Sequence, residues 1–159
     1  MIQSLRRMRD REDGFTLIEL MVVVLIIAIL VAIAIPTFLG ARERAQDKAA
    51  QSSVRNALTA AKTIYTDNQT YVDATVAALG NVEPSLTFVA SATASTSEKT
   101  ISVNSSAAQV IYLAALSDSG TCFYLKDDLS SSGSGAQYAS GTGACSGTQA
   151  ASETYGASW

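Results

Sequence analysis

A long apolar segment near the N-terminus constrains this chain more than any other feature. It occupies residues 15–39, and Glu19 is its one charged residue. As a helix it would be roughly 37 Å long, which exceeds the ~30 Å hydrocarbon core of a bilayer. The apolar region of a secretory signal has only about 7–15 residues. The segment is therefore predicted to be a membrane-spanning helix, with cleavage at the A-x-A-like pair Ala32 and Ala34 as the alternative.

Charge flanks this span on both sides. Residues 1–14, MIQSLRRMRDREDG, form a charged leader whose basic residues are Arg6, Arg7, Arg9 and Arg11. The basic residues that follow the span closely are Arg42, Arg44 and Lys48. Because cations lie at both ends, the positive-inside rule gives only weak support to a cytoplasmic N-terminus.

Glu19 is the anomaly within the span. A carboxylate inside an apolar membrane helix costs at least a few kcal/mol and marks a functional site by default. Two other interpretations stay open from this residue alone. Glu19 could lie close enough to the membrane surface to reach the headgroups, or it could be protonated.

The string GFTLIE, residues 14–19, resembles the processing motif of type IV pilins and of the related pseudopilins. This resemblance implies that a prepilin peptidase cuts between Gly14 and Phe15, that the new Phe15 amine is N-methylated, and that Glu19 remains in the helix. It also implies that Glu19 of one subunit meets the Phe15 amine of a neighbour during assembly. A buried charge is tolerated chiefly when it is paired, so a misplaced subunit would leave an unpaired charge in an apolar bundle.

The resemblance also supplies expectations for function, partners and location. The chain is expected to be a structural subunit, a major type IV pilin that polymerises with itself into a surface filament for adhesion and twitching motility. Its other partners would be the prepilin peptidase/methyltransferase, the pilus assembly platform and motor proteins, and the membrane. The precursor would be a single-pass protein of the inner (cytoplasmic) membrane with its C-terminal domain outside the cytoplasm, and the assembled pilus would be extracellular.

Two alternatives to a pilus subunit remain. The first is a pseudopilin of a type II secretion or DNA-uptake system. The second, from another class, is a single-span membrane-anchored protein whose distal domain binds a ligand or acts as an enzyme. This second alternative leaves Gly14, Phe15 and Glu19 unexplained.

The helical pattern continues beyond the span. Small and apolar residues recur at three- and four-residue spacing at Ala50, Val54, Ala57, Leu58, Ala61, Ile64 and Tyr65. We therefore expect one helix from about Phe15 to Asp67, with Asn68 as its stop and an amphipathic part over residues 40–68. Pro36 removes a backbone hydrogen bond and predicts a kink or a local loosening. By the resemblance, Pro36 contributes to assembly because subunits extend near it.

The distal part of the chain predicts a globular pilin domain over residues 40–159. A connecting loop is expected over residues 69–85 and a small antiparallel sheet over residues 86–128, with strands at 86–91, 100–104, 109–117 and 121–127. Residues 129–159 are rich in Ser, Gly, Thr and Ala and predict a C-terminal loop. The fold class is therefore α+β, a long N-terminal helix whose apolar half protrudes and whose amphipathic half packs on the sheet. Tyr155 and Trp159 either cover apolar surface or stay exposed.

The two cysteines, Cys122 and Cys145, both lie in this distal domain. If the domain is exported, a disulfide that ties the C-terminal loop to the last strand is the default interpretation, whereas in a cytosolic protein two free thiols would be ordinary. By the resemblance, such a disulfide-bounded loop lies on the filament surface.

Catalysis and cofactor binding are not predicted. The chain has no histidine, the commonest general base and metal ligand. The spacing of Asp118, Asp127 and Asp128 fits no standard calcium loop, so we expect solvated surface acids rather than a metal site. The net charge of −3 does not indicate nucleic-acid binding. Charge is instead divided, with a cationic helix followed by an anionic distal domain, a polarity that suits packing between neighbouring subunits.

Overall fold

The architecture is one long helix followed by a five-stranded sheet. The structure is a computed structural model and describes residues 14–159, so the predicted leader lies outside the described residues except for Gly14. The elements are α1 (Leu17–Asn68), α2 (Val76–Val82), β1 (Thr87–Ala90), β2 (Thr100–Asn104), β3 (Val110–Leu116), β4 (Cys122–Asp128), β5 (Gly135–Gly141) and α3 (Gly147–Ala150). The chain divides after Gly40 into two compact units.

The described part of the first unit, residues 14–40, contains three residues that precede α1 and then the apolar part of α1. By length and composition, α1 is able to cross a membrane. The large apolar side chains of residues 15–39 are all exposed, from 45% for Val31 to 89% for Phe15. The helix is continuous through Pro36, and the Thr37 hydroxyl donates to the carbonyl oxygens of Ile33 and Ala34 at 3.1 and 2.9 Å. The helix is therefore not broken at Pro36, and a kink there stays a prediction.

In the second unit, the remainder of α1 packs on one face of the sheet. Its buried residues in this core are Val54, Ala57, Leu58, Ala60, Ala61 and Ile64. The sheet contributes Phe88, Ile101, Val103, Ile111, Leu113, Ala115 and Leu125 to the same core. The helix ends at Asn68, where Gln69 adopts a left-handed conformation with φ 56° and its N–H bonds the Tyr65 carbonyl. The amphipathic helix and its stop are therefore confirmed.

The sheet is mixed rather than antiparallel throughout. Its order is β1-β2-β3-β4-β5, with β1 parallel to β2 and every other pair antiparallel. Because β1 and β2 are parallel, residues 91–99 must carry the chain from the end of β1 back to the start of β2. The Ser102 hydroxyl in β2 donates to the Ala90 and Thr93 carbonyls. The α+β class is confirmed, and the expectation of antiparallel pairing for β1 is wrong.

Three elements lie where only loops were expected: α2 in the connecting segment, and β5 and the short helix α3 in the C-terminal segment. Helix α2 lies within the expected connecting loop 69–85, and it begins there because the Thr75 side chain caps it by accepting from the Ala78 N–H. Strand β5 lies within the expected C-terminal loop, because β4 provides backbone partners along its whole length. These backbone hydrogen bonds do not require the apolar alternation that marks a strand in sequence.

The C-terminal residues cover the other face of the sheet. A second core joins Ala114, Cys122, Tyr124, Ala139, Cys145 and Ala150, with Tyr112, Leu116 and Tyr155 packed against it. Gly156 then pairs with Tyr138 at the outer edge of β5, and Trp159 packs on the α1 side of the sheet. The segment therefore wraps around the sheet edge, and Tyr155 and Trp159 both cover apolar surface.

Candidate functional site

The segment at the N-terminal end of α1 contains the predicted processing residues Gly14 and Phe15 and the predicted assembly residue Glu19, whereas Pro36, also predicted to contribute to assembly, lies 17 residues after Glu19 within α1. Gly14, Phe15 and Thr16 precede the helix, and Gly14 and Phe15 are exposed. A Cβ added to Gly14 would meet no atom within 4 Å. The peptide bond between Gly14 and Phe15 therefore lies outside the helix, between two exposed residues.

Glu19 is held by the residue at the helix entrance. Its Oε2 accepts from the Thr16 N–H at 2.9 Å and from the Thr16 hydroxyl at 2.6 Å, while the Glu19 N–H points to the Thr16 hydroxyl oxygen at 3.3 Å. This reciprocal arrangement is a capping box, which satisfies helix N–H groups that otherwise lack partners. Both accepted bonds go to Oε2, so within residues 14–159 Oε1 remains open to a cation.

Thr16 was not singled out as a functional residue in the sequence. The signal was present, because a Thr followed three residues later by Glu before an apolar run is the sequence pattern of a capping box. The capping contact fixes the direction of the carboxylate on an otherwise apolar helix. Thr16 is therefore a positioning residue for Glu19.

If the chain assembles into filaments, as its resemblance to type IV pilins implies, replacing Thr16 by valine is expected to lower the yield of assembled filaments several-fold, because loss of a cap costs about 1 kcal/mol and frees the Glu19 side chain. Thr16→Ser keeps the hydroxyl and should retain the wild-type yield. The measurement is quantitation of sheared filaments, with the processed fraction determined on the same cells. Equal yields from the valine and serine variants would contradict the positioning role.

Cys122 and Cys145 form the disulfide that the sequence suggested for an exported domain, with Cα atoms 5.4 Å apart. Two hydrogen bonds hold the loop beside it: the Ser95 backbone N–H donates to the Cys145 carbonyl, and the Tyr124 side-chain hydroxyl donates to the Ala144 carbonyl. At Gly147 a Cβ would lie 2.9 Å from the Asn104 nitrogen, so this close approach to β2 requires glycine. The disulfide-bounded segment is therefore packed on the sheet.

Replacing both cysteines by serine is expected to reduce the free energy of unfolding by about 2–4 kcal/mol, because the unfolded chain loses a cross-link. Denaturant unfolding of the detergent-solubilised subunit, followed by the fluorescence of its single Trp159, measures this change. Wild-type protein treated with a reductant is the matched control and should show the same loss. An unchanged midpoint in both samples would contradict the expectation.

A buried ionic cluster in the second unit was not predicted. Asp127 is fully buried, its Oδ2 accepts from the Tyr71 hydroxyl at 2.5 Å, and its Oδ1 lies 3.2 Å from Lys62 Nζ. The Oδ1 contact is an ion pair without hydrogen-bond geometry. Burial raises the pKa of the Tyr71 hydroxyl far above its ordinary value, and the hydrogen bond to Asp127 raises it further, so Tyr71 remains a donor. The cluster joins α1, the segment before α2, and β4.

The three acids considered for calcium are therefore not equivalent. Asp127 is buried rather than solvated, which corrects the expectation for that residue. Asp128 accepts from the Ser130 hydroxyl and N–H and pairs with Lys126, and these contacts, the Ser130 hydroxyl first, lower the pKa of its carboxyl. Asp118 is exposed in the turn before β4. Residues 14–159 contain no cluster of three or more side chains able to hold a metal ion.

Comparison with known proteins gives a family model and a relative, and each of them matches only part of the chain. The family model described as a prokaryotic N-terminal methylation motif matches residues 9–35. The chain is 43% identical over 67 residues to the type IV major pilin protein PilA of Myxococcus xanthus (strain DK1622). This match covers 42% of the present chain, which spans only 30% of the length of that relative. No solved structure matches the chain.

Proposed function

We propose that this chain is a type IV pilin, the precursor of a filament subunit that is cleaved between Gly14 and Phe15 and N-methylated at Phe15. The N-terminal methylation motif and the partial identity to a major pilin support this proposal. The observation that carries the proposal is the charged capping box at the start of an exposed apolar helix. Glu19 is oriented by Thr16 and keeps one carboxylate oxygen open. A partner cation at this position explains a carboxylate that lipid alone does not favour.

Cleavage creates the cation that Glu19 lacks. Hydrolysis of the Gly14–Phe15 bond adds water and leaves a new amine on Phe15, which stays positively charged at neutral pH after methylation. Phe15 directly precedes Thr16, so the capping box remains intact when the leader is removed. The mature subunit therefore has a cation at Phe15 and a carboxylate at Glu19, four residues further along the chain at the same end of α1.

Assembly then depends on this pair. Leaving the bilayer gives the apolar helix little hydrophobic free energy, since lipid tails are as apolar as neighbouring helices. Close packing and the pairing of charges therefore decide which arrangement of subunits is stable. We infer that Glu19 of one subunit binds the Phe15 amine of a neighbour, and that a subunit in the wrong register leaves both charges unpaired.

Location and partners follow from the same proposal. The precursor is anchored in the cytoplasmic membrane by residues 15–39 with its second unit outside the cytoplasm, and the polymer is an extracellular pilus used in adhesion or twitching motility. Its partners are other copies of the chain, a prepilin peptidase/methyltransferase, and the assembly platform and motor proteins. The similarity to a protein named as a major pilin favours a pilus subunit over a pseudopilin.

Substitution of Gly14 tests this proposal. Gly14→Val places a branched side chain at the cleavage position, and we expect the full leader in the intact mass and loss of nearly all sheared filaments. Gly80→Val is the matched control, because an added Cβ at Gly80 also meets no atom within 4 Å. Wild-type filament yield from an uncleaved Gly14→Val protein would overturn the proposal.

A further inference from the structure

Most cations of the second half of α1 are already engaged within the subunit. These contacts are Lys48 Nζ with Gln51 Oε1 at 2.9 Å, the Arg55 guanidinium with the Trp159 and Tyr138 rings at 4.7 and 5.6 Å, and Lys62 with Asp127. Arg42 and Arg44 are different. Both are exposed, and neither has an ion-pair or side-chain hydrogen-bond partner within residues 14–159. They are therefore available to another molecule.

The C-terminal end of α1, beyond Arg42 and Arg44, has the complementary charge. Asp67 lies in the last turn of the helix and Asp73 lies five residues beyond its end, and both are exposed without an ion-pair partner within the described part of the chain. No basic residue is present in this last turn. A helix C-terminus carries partial negative charge, so Asp67 adds like charge where a cation is favoured. A cation from outside the subunit would relieve this repulsion.

The positions of Arg44 and Asp67 on α1 suit a head-to-tail contact between two copies of the chain. Arg44 and Asp67 are 23 residues apart on one helix, which corresponds to about 35 Å along its axis and about 140° around it. The two charges therefore lie on different faces of the helix. A head-to-tail polymer can use this arrangement, because each subunit presents two different surfaces to its two neighbours.

We propose that Arg44, with Arg42 beside it, pairs with Asp67 and Asp73 of a second copy that is displaced by about 35 Å along the filament. This inference rests on the proposed function and adds to it the neighbour and the axial register. Each pair is exposed and therefore weak, but it recurs at every subunit and opposes registers that place like charges together. Anionic lipid headgroups would also attract the arginines, but they would leave Asp67 and Asp73 unpaired.

Charge exchange tests the register. Arg44→Glu and Asp67→Arg should each reduce the yield of sheared filaments by about fivefold or more, because each places like charges together. The double variant Arg44→Glu/Asp67→Arg restores opposite charges and should return the yield to within about twofold of wild type. Arg44→Glu/Glu98→Arg has the same net charge with the new cation elsewhere, and its yield should stay low. All four variants should unfold at the wild-type temperature, since the exchanged side chains are exposed or half-exposed.

The outcomes separate this inference from the proposed function. Suppose that the wild-type protein forms filaments. Normal filament yields from the single variants would then overturn the proposed register alone, and so would a low yield from Arg44→Glu/Asp67→Arg. The amount of processed Arg44→Glu subunit in washed membranes tests the lipid alternative. If this amount falls and adding Asp67→Arg does not restore it, lipid is the partner of Arg44 and the proposed register is overturned. Absence of filaments from wild-type cells would contradict the proposed function itself.

Discussion

Replacing Glu19 by alanine is expected to reduce the yield of extracellular filaments by at least about tenfold, because an unpaired charge in an apolar bundle costs several kcal/mol. Cleavage after Gly14 and methylation of Phe15 should continue, since neither reaction uses the Glu19 carboxylate in the proposed scheme. The measurement is the amount of subunit in sheared filaments relative to processed subunit in washed membranes. Glu43→Ala, an exposed carboxylate beyond the span, is the control and should assemble normally.

A second substitution separates the two roles of Glu19. Glu19→Gln retains an oxygen that can accept from Thr16, so the capping box is preserved while the charge is lost. If the charge pairs with an amine of a neighbour, the glutamine variant should lose assembly as the alanine variant does. Normal filaments from Glu19→Gln and none from Glu19→Ala would assign capping alone to Glu19 and would contradict the charge pair.

Replacing Lys62 by methionine is expected to lower the free energy of unfolding by about 3 kcal/mol, because the buried Asp127 carboxylate then loses its counter-charge. We expect the lower end of the usual range for broken buried ion pairs, since the Lys62 side chain is 47% exposed and its pairing is partly screened. The Tyr71 hydrogen bond remains in this variant. Denaturant unfolding in detergent, followed by Trp159 fluorescence, provides the measurement.

Two further variants make this prediction specific. Lys99→Met removes an exposed cation that has no ion pair among the described residues, and its effect should stay within about 0.5 kcal/mol. Adding Asp127→Asn to Lys62→Met removes the unpaired charge but keeps an acceptor for Tyr71, so it should recover more than half of the loss. A Lys62→Met variant as stable as Lys99→Met would show that the ion pair contributes nothing.

The parts of the fold that depend on side-chain periodicity were predicted well from the sequence. The bounds of α1 differ from expectation by two residues at its start and one at its end, and β2 occupies residues 100–104 as expected. Strands β3 and β4 also lie within one residue of their predicted positions. In α1, β2 and β4 apolar residues repeat with the period of the element, and β3 is a continuous apolar run that suits a central strand, so a single sequence contains these signals.

The parts that depend on tertiary contacts were not predicted. Strand β5 has glycine at both ends and is held by the β4 backbone, and the parallel direction of β1 depends on how residues 91–99 fold back. The buried cluster of Lys62, Tyr71 and Asp127 joins residues from three separate segments, so no local pattern marks it. Thr16 is the exception, because its capping pattern with Glu19 was readable in the sequence and was missed.

The central claim is tested most directly by mass spectrometry of the N-terminal peptide, taken in parallel from sheared extracellular filaments and from washed membranes. The account predicts an abundant peptide that begins at N-methylated Phe15 in the sheared fraction. The same peptide found only in membranes would contradict the assignment as a surface pilus subunit and would indicate a pseudopilin. An intact leader that still contains Gly14 in both fractions would contradict the pilin account as a whole.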